Sequence, residues 1–243
     1  IMHWGKRQFI RRCAAVLSGS AMARMCGRTS VSAASDPALA NWAGNYRYST
    51  DRLHHGRSLQ QVQDFVKQHS HLRVLGTRHC FNGIADSTQN LLSLREMDQV
   101  VALEPTARTV TVQAGMSYGQ LCPSLDQQGY ALHNLASLPH ISIAGACATA
   151  THGSGIRNGN LSTAVSALEI VTAGGDVLRL SRDKDGETFR GSVVNLGALG
   201  VVTSVPPAVH PSYPATQAGA PAPPSGPGTA PSIVISGAGR ARR

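Results

Sequence analysis

The chain has 243 residues, enough for one sizeable domain or two small ones with a hydrophobic core. Hydrophobic residues make up 42% of the sequence and charged residues only 14%, which excludes a coiled coil and a polyelectrolyte. The formal net charge of +9 resides at the two ends, because 1–35 and 206–243 contain nine basic and no acidic residues, whereas the acidic and basic residues between them cancel. We therefore predict no nucleic-acid partner.

Residues 1–35 have the features of a targeting leader. The basic segment 6–12 precedes a weakly apolar stretch, Cys13 to Met25, that ends near small residues. This pattern is typical of a cleaved export signal, and it resembles a twin-arginine signal in which Lys6 replaces the first arginine. A disordered basic leader on a cytoplasmic protein and an organelle transit peptide are the alternatives. No apolar run approaches the roughly 20 residues of a membrane span.

The first elements combine a helix, a short strand and a hairpin. Residues 58–67 predict an amphipathic helix capped by Ser58, with apolar side chains on one face at Leu59, Val62, Phe65 and Val66. Residues 73–76 predict a short buried strand that runs into the polar turn 77–82. Two β-rich runs, 100–103 and 109–114, predict a hairpin.

The second half continues this mixture. Residues 117–128 predict a helix that Pro123 would kink or shorten and that Gly129 would end. A second hairpin at 167–172 and 177–181, a short helix around 189–196 and a strand at 201–205 follow. Because strands and helices do not alternate regularly, we predict the α+β class.

Composition changes after Val205. Nine of the 13 prolines fall in 206–243, and such a Pro/Gly/Ala tract has too little apolar surface to offset its ordering entropy. We predict a disordered tail, and the abrupt change suggests a truncation or a change of reading frame. The five cysteines form no Cys-x-x-Cys pair, their odd count argues against a complete disulfide framework, and we predict no metal site.

Two segments carry candidate chemistry. In residues 74–82 a strand delivers Gly76 and several backbone N–H groups into a turn, a geometry that can form an anion-binding nest. Residues 136–155 are almost wholly small, which allows a flat, phosphate-bearing ligand to approach the backbone. Hydroxyls at Ser142, Thr149 and Thr151 are candidate donors to phosphate oxygens. Tight helix–sheet packing is the alternative explanation of the small residues.

These segments together resemble a known family. Residues 41–45, 73–82, 134–155 and 196–203 occur in the order and approximate spacing of the FAD-binding domain of alditol (xylitol) oxidases. That family belongs to the vanillyl-alcohol oxidase or p-cresol methylhydroxylase-type flavoproteins, with aldonolactone oxidases as neighbours. The resemblance covers roughly residues 38–205 and implies a p-cresol methylhydroxylase-type domain of two small α+β subdomains, without the family's substrate domain.

The resemblance implies a role for each matched residue. His79 falls on the histidine that the family joins covalently to the 8α-methyl of FAD, and a cation such as Arg78 would favour the neutral imidazole by lowering its pKa. Ser137 matches a serine close to flavin and substrate, the one catalytic residue implied. The backbone of 75–79 would cradle the pyrophosphate, and Val202 would meet the adenine side. The implied cofactor-binding residues are Leu75, Gly76, Thr77, Arg78, His79, Cys80, Ser142, Gly145, Thr149 and Val202.

The turn departs from the family's Gly-x-Gly-His-Ser pattern at two positions. If the second glycine position requires positive φ, Arg78 there costs on the order of 1 kcal/mol or more. Cys80 replaces a hydroxyl by a weak S–H donor. Covalent attachment of FAD is therefore a hypothesis.

The activity implied by the resemblance is that of an FAD-dependent oxidase. A polyol or sugar-derived alcohol would pass a hydride to flavin N5, and O2 would reoxidise the flavin to give H2O2. An aldonolactone oxidase-like activity is one alternative. A catalytically incomplete FAD-binding module and an unfolded fragment are the others, because the substrate domain is expected to supply the acid–base groups.

Overall fold

The computed structural model describes residues 39–153 and 158–212. The leader, the segment 154–157 and most of the predicted tail lie outside the described residues. Four helices and ten strands are found within them. The helices are α1 (Leu59–Gln68), α2 (Tyr118–Gln127), α3 (Ile143–Ala148) and α4 (Arg182–Val193).

A small parallel sheet comes first in the chain. Its strands are β1 (Leu53–His55), β2 (Leu72–Val74) and β3 (Asn90–Ser93), with β3 in the centre. Both pairings are parallel, and α1 is the crossover between the outer strands. Ser58 caps α1 as predicted, and its apolar face is buried at Val62 and Val66. Strand β2 therefore leads directly into the turn that carries His79.

A second sheet is antiparallel and has five strands. They are β4 (Val100–Glu104), β5 (Thr109–Gln113), β7 (Ala167–Val171), β8 (Val177–Ser181) and β9 (Val201–Val205). Their order in the sheet is β4-β5-β9-β7-β8. The predicted hairpins are confirmed as two pairs, and the last predicted strand lies between them, next to β5 and β7.

The helices of the second half follow local sequence signals in part. Ser117 and Gln120 form a capping box at the start of α2, and Pro123 lies inside that helix without ending it. The helix predicted at 189–196 instead begins at Arg182, is interrupted by Gly186 at φ +48°, and ends at Val193. Ser181 caps it by accepting a hydrogen bond from the Lys184 N–H.

The folded part extends beyond the predicted boundary at 205. Strand β10 (Val209–Pro211) pairs antiparallel with β6 (Tyr130–Leu132), and Val209 is fully buried. Pro206 and Pro207 lack N–H groups, but their carbonyls accept hydrogen bonds from the N–H groups of Ser166 and Val110 at 3.3 and 3.1 Å. The assignment of 206–212 to a disordered tail is therefore wrong.

The two sheets share a hydrophobic core. It includes β-strand side chains of both sheets together with buried residues of α1, α2, α3 and α4. A separate small cluster beneath β3 contains Tyr48, Leu75 and Leu91. The predicted α+β class is confirmed, and the packing leaves the turn after β2 and the start of α3 facing each other.

Candidate cofactor site

The turn after β2 is held in an unusual conformation. Leu75 is buried, and three residues later Arg78 adopts φ +61°, the left-handed region that favours glycine. The Arg78 carbonyl accepts a hydrogen bond from the Trp42 N–H at 2.7 Å, and the Cys80 carbonyl accepts one from Asn41 Nδ2 at 2.9 Å. The segment around residue 41 thus fixes the backbone on both sides of His79.

His79 sits among rings. Its ring centroid is 4.9 Å from that of Trp42, 5.5 Å from Phe81 and 5.6 Å from His140. Its Nδ1 is buried and has no hydrogen-bond partner among the described residues. Burial lowers the pKa of His79, and the nearby His140 lowers it further. The neutral imidazole is therefore favoured.

The sequence suggested Arg78 as the cation that lowers the pKa of His79, but the causes of that shift are burial and His140. Its side chain is exposed, and its Nη1 donates to the Ala40 carbonyl at 3.2 Å. Next to His79 on the other side, burial raises the pKa of the Cys80 thiol. Cys80 is accordingly a neutral neighbour of the histidine.

Ser142 faces this turn from the start of α3. Its backbone N–H donates to Thr77 Oγ1 at 3.4 Å, and its hydroxyl makes no capping bond to the helix. A Cβ at Gly145 would lie 2.7 Å from Ser142 Oγ, and one at Gly76 would lie 3.2 Å from it. The two glycines therefore leave room for this hydroxyl between the turn and the helix.

These parts enclose a cavity of about 450 Å³. One wall is the turn 75–82, a second is α3 with the residues that follow it, and a third is the segment 195–202 beside Gly115. Thr149 Oγ1 donates to the Gly145 carbonyl at 3.0 Å and is 3.2 Å from Thr151 Oγ1. Hydroxyl groups thus lie along the α3 wall.

Of the acidic and basic side chains, only basic ones occur among the described residues of the cavity lining. Three arginines line the cavity, Arg73, Arg78 and Arg95, and no Asp or Glu occurs among the described lining residues. Guanidinium groups and hydroxyls bind phosphate oxygens well. The cavity is therefore suited to an anionic, phosphate-bearing ligand that also has a flat apolar part.

All ten residues predicted to bind the cofactor line this one cavity. The predicted catalytic residue does not: Ser137 is exposed and lies outside the lining, between β6 and α3. The sequence did not single out Trp42, His140, Arg95 or Gly115. The segments matched to the family contain Trp42 and His140 but gave them no role, and Arg95 and Gly115 lie outside those segments.

The site residues fit a large dinucleotide cofactor. The small residues of the α3 wall admit a ligand close to the backbone, and His79 lines the same cavity. Within residues 39–153 and 158–212, no group of three or more His, Cys, Asp or Glu is arranged to hold a metal ion. No helix in that part of the chain is long and apolar enough to cross a membrane.

The fold and the cavity define a protein suited to hold a phosphate-bearing cofactor. Comparison with known families makes the class specific: a family described as the FAD binding domain matches residues 53–181, more than half of the chain. The chain belongs to this FAD-binding family. FAD, the cofactor predicted from the sequence, is confirmed at this level.

Individual relatives extend the comparison. Alditol oxidase of Streptomyces sp. (strain IKD472 / FERM P-14339) is 40% identical over 72% of this chain and 43% of its own length. L-Gulonolactone oxidase of Bos taurus is 31% identical over 68% of this chain and 38% of its own. L-Gulono-1,4-lactone dehydrogenase of Mycobacterium tuberculosis is 34% identical over 70% and 40%. The chain thus spans about two fifths of the length of these relatives.

Proposed function

We propose that this chain is the FAD-binding part of an FAD-dependent oxidoreductase that acts on a polyol or sugar-derived alcohol. The observation that carries the proposal is that the ten residues matched to the family's cofactor positions line a single cavity. The similarity to an alditol oxidase and to aldonolactone oxidases and dehydrogenases supports the substrate class. Aldonolactones are the second substrate class that these relatives suggest.

Each wall of the cavity has a proposed task. The backbone of 75–79 and the hydroxyl of Ser142 hold the pyrophosphate, with the arginines of the lining offsetting its charge. Gly145 and Thr149 lie along the flavin and the phosphates, and Val202 contacts the adenine side. Ser137 lies on the substrate side.

FAD, when bound, supplies a two-electron acceptor for the alcohol, with O2 as the final acceptor. The chain's own contribution is to orient the cofactor and to exclude water from its buried side. The described cavity lining contains no carboxylate that would accept the alcohol proton. This observation favours, as a second candidate, a module that holds FAD without turning over substrate by itself.

We further propose that His79 holds FAD covalently. The bond would join an imidazole nitrogen to a methyl carbon of the flavin, breaking one N–H and one C–H bond and releasing two protons and two electrons. Dioxygen would accept the two protons and the two electrons and become hydrogen peroxide. The lowered pKa of His79 and its position in the cavity lining support this role, since the nucleophile must be a neutral imidazole.

The test is an absorbance spectrum of the purified full chain after loading with FAD, taken before and after acid precipitation. We expect flavin to remain with the wild-type pellet and to be released from His79→Ala, which should still bind FAD reversibly. His71→Ala, at an exposed residue outside the lining, is the matched control and should retain flavin. A chain that binds no FAD would refute the proposed function, and release of all flavin from the wild type would refute the covalent bond alone.

For residues 1–35, which lie outside the described residues, we propose an export signal. Its support is the pair Lys6-Arg7 ahead of an acid-free, weakly apolar stretch. A reporter fused after residue 35 should be exported by bacteria with a twin-arginine route. Export should fall when Lys6 and Arg7 are both changed to Gln. A reporter that stays inside the cell with either sequence would refute the proposal.

A further inference from the structure

Four rings form a cluster around His79 beside the cavity, and two of them, Trp42 and Phe81, are more than half exposed. Trp42 lies against both histidines, with its ring centroid 4.9 Å from His79 and 5.5 Å from His140. The Trp42 and His140 planes are nearly parallel, at 23°, whereas the two imidazoles meet edge to face at 65°. Phe81 contacts His79 from the remaining side, 71° from its plane. His79 is therefore in contact with three other rings.

The two imidazoles share an unusual property. His79 Nδ1 and His140 Nε2 are both buried, and neither has a hydrogen-bond partner in the part of the chain that the structure describes. Buried polar atoms without partners are rare because they lose their hydration without compensation. Two of the five such side-chain atoms in the described residues lie in these neighbouring rings. His79 lines the cavity and His140 does not, so His140 can act on the ligand only through His79.

We propose that His140 is a positioning residue for the attachment of FAD at His79. Its ring, packed on Trp42, fixes the orientation of the His79 imidazole and opposes a positive charge on it. The inference rests on the proposed covalent role of His79 and goes beyond it, because it assigns attachment to a pair of residues rather than to one.

The other titratable groups around His79 leave this task to His140. Arg78 precedes it in the turn, but its guanidinium is exposed and bound to the Ala40 carbonyl. Cys80 follows it, and burial keeps that thiol protonated. Across the site, His140 is the histidine in ring contact with His79. Burial and His140 both lower the pKa of His79, so the neutral form persists to lower pH than in a free histidine.

Two substitutions separate orientation from charge. His140→Phe keeps a flat ring against Trp42 and removes both nitrogens, whereas His140→Ala removes the ring as well. At pH 8, where His79 is neutral in every variant, we expect His140→Phe to attach FAD at close to the wild-type rate. His140→Ala should be about tenfold slower, because a displaced nucleophile loses much of the advantage of its position. Reversible FAD affinity should change less than about threefold in both, since His140 does not line the cavity.

The pH profile tests the charge. As pH falls, attachment should be lost at a higher pH in His140→Phe than in the wild type, because His79 is then easier to protonate. The same displacement should appear when His79 is titrated by NMR in the full chain without FAD. His133→Phe is the matched control: His133 and His210 form a similar pair, 5.7 Å apart at 62°, outside the cavity lining. It should change neither the attachment rate nor the pKa of His79.

The outcomes distinguish this inference from the proposed function. If the wild type holds FAD only reversibly, the covalent role fails, and the NMR titration of His79 decides whether His140 controls its charge. An unchanged His79 midpoint in His140→Phe would overturn the inference, whether or not FAD is attached. Wild-type attachment rates in both variants at all pH values would overturn it as well. If His140→Ala fails to fold, the Phe variant and the titration still decide.

Discussion

Replacing Gly115 by alanine tests whether close backbone contact sets one wall of the cavity. Gly115 follows β5, and a Cβ there would lie 2.0 Å from the Leu94 carbonyl oxygen and 2.8 Å from that of Met97. The Gly115 N–H donates to the Met97 carbonyl at 2.9 Å, and the Met97 N–H donates to the Leu94 carbonyl at 2.8 Å. Because the obstructing atoms are hydrogen-bonded backbone, they cannot rotate aside as a side chain would.

The size of the effect follows from this contact. Ordinary contact begins at 3.4 Å, so two backbone segments must part by about 1.4 Å to admit a methyl group at 2.0 Å. Overpacking that displaces backbone costs about 1–3 kcal/mol and occasionally more, so we expect a loss near the upper end, about 3 kcal/mol. For a folded part of this size that loss lowers Tm by roughly 6 °C or more.

Urea denaturation of the full chain without FAD, followed by circular dichroism, measures the change. Gly191→Ala is the matched control: Gly191 is exposed in α4, and nothing lies within 4 Å of a Cβ there. It should stabilise the chain by about 0.5–1 kcal/mol, because alanine is the better helix former. Equal stability of Gly115→Ala and the wild type, with the same denaturant slope, would refute the reasoning.

Three further substitutions address charge and strain. Burial raises the pKa of Asp86, but hydrogen bonds from Ser49 and Tyr46 outweigh it and hold that pKa below its usual value. The ionised Asp86 therefore stabilises the fold above about pH 4, and this stabilisation is lost as pH falls through the lower folded pKa. Asp86→Asn should cost about 1–2 kcal/mol at pH 7 and remove this acid dependence, and equal stability at pH 7 would contradict the expectation. Arg78→Gly and Arg108→Gly each relieve a positive φ, 61° and 52°, and should each raise stability by up to about 1 kcal/mol, with only Arg78→Gly changing FAD affinity. A loss of stability confined to Arg78→Gly would show that its hydrogen bond to the Ala40 carbonyl outweighs the strain.

Elements with a local signal could be predicted from the sequence. The cap at Ser58 and the apolar spacing identified α1, and the turn residues between β-rich runs identified both hairpins. Strands β1, β3, β6 and β10 were not predicted. They have three or four residues each and are defined by pairing with distant segments, which no local pattern records.

The errors also have physical causes. The helix around Phe189 begins at a polar N-terminal half, where Ser181 supplies the cap and Gly186 interrupts the pattern, so the apolar part alone gave the wrong start. Its end at Val193 is followed by Asn195, whose Nδ2 donates a hydrogen bond to the Ser192 carbonyl of the last turn at 3.1 Å. Prolines 206 and 207 suggested the end of the fold, yet their carbonyls still serve as hydrogen-bond acceptors.

The residues of the candidate site also differ in whether the sequence could identify them. The turn residues and Ser142, Gly145 and Thr149 could be found because they lie in two short segments with distinctive composition. The ring cluster could not, since Trp42, His79 and His140 lie in separate segments of the chain and the family match gave Trp42 and His140 no role. The sequence therefore identified residues that line the cavity, while the contacts among these rings are evident only in the structure.

Local departures from low-energy structure concentrate around this cavity. Four non-glycine residues of the described part adopt positive φ, and of these Arg78 and Leu196 line the cavity, while Ala150 lies between the lining residues Thr149 and Thr151. The fourth, Arg108, is on the hairpin turn. Left-handed backbone in such residues persists only where surrounding contacts hold it in place. At Arg78 the hydrogen bond from the Trp42 N–H to the Arg78 carbonyl does so. Non-glycine residues thus keep a strained backbone at positions where a ligand would use the resulting geometry. This is independent support for placing the function in this cavity.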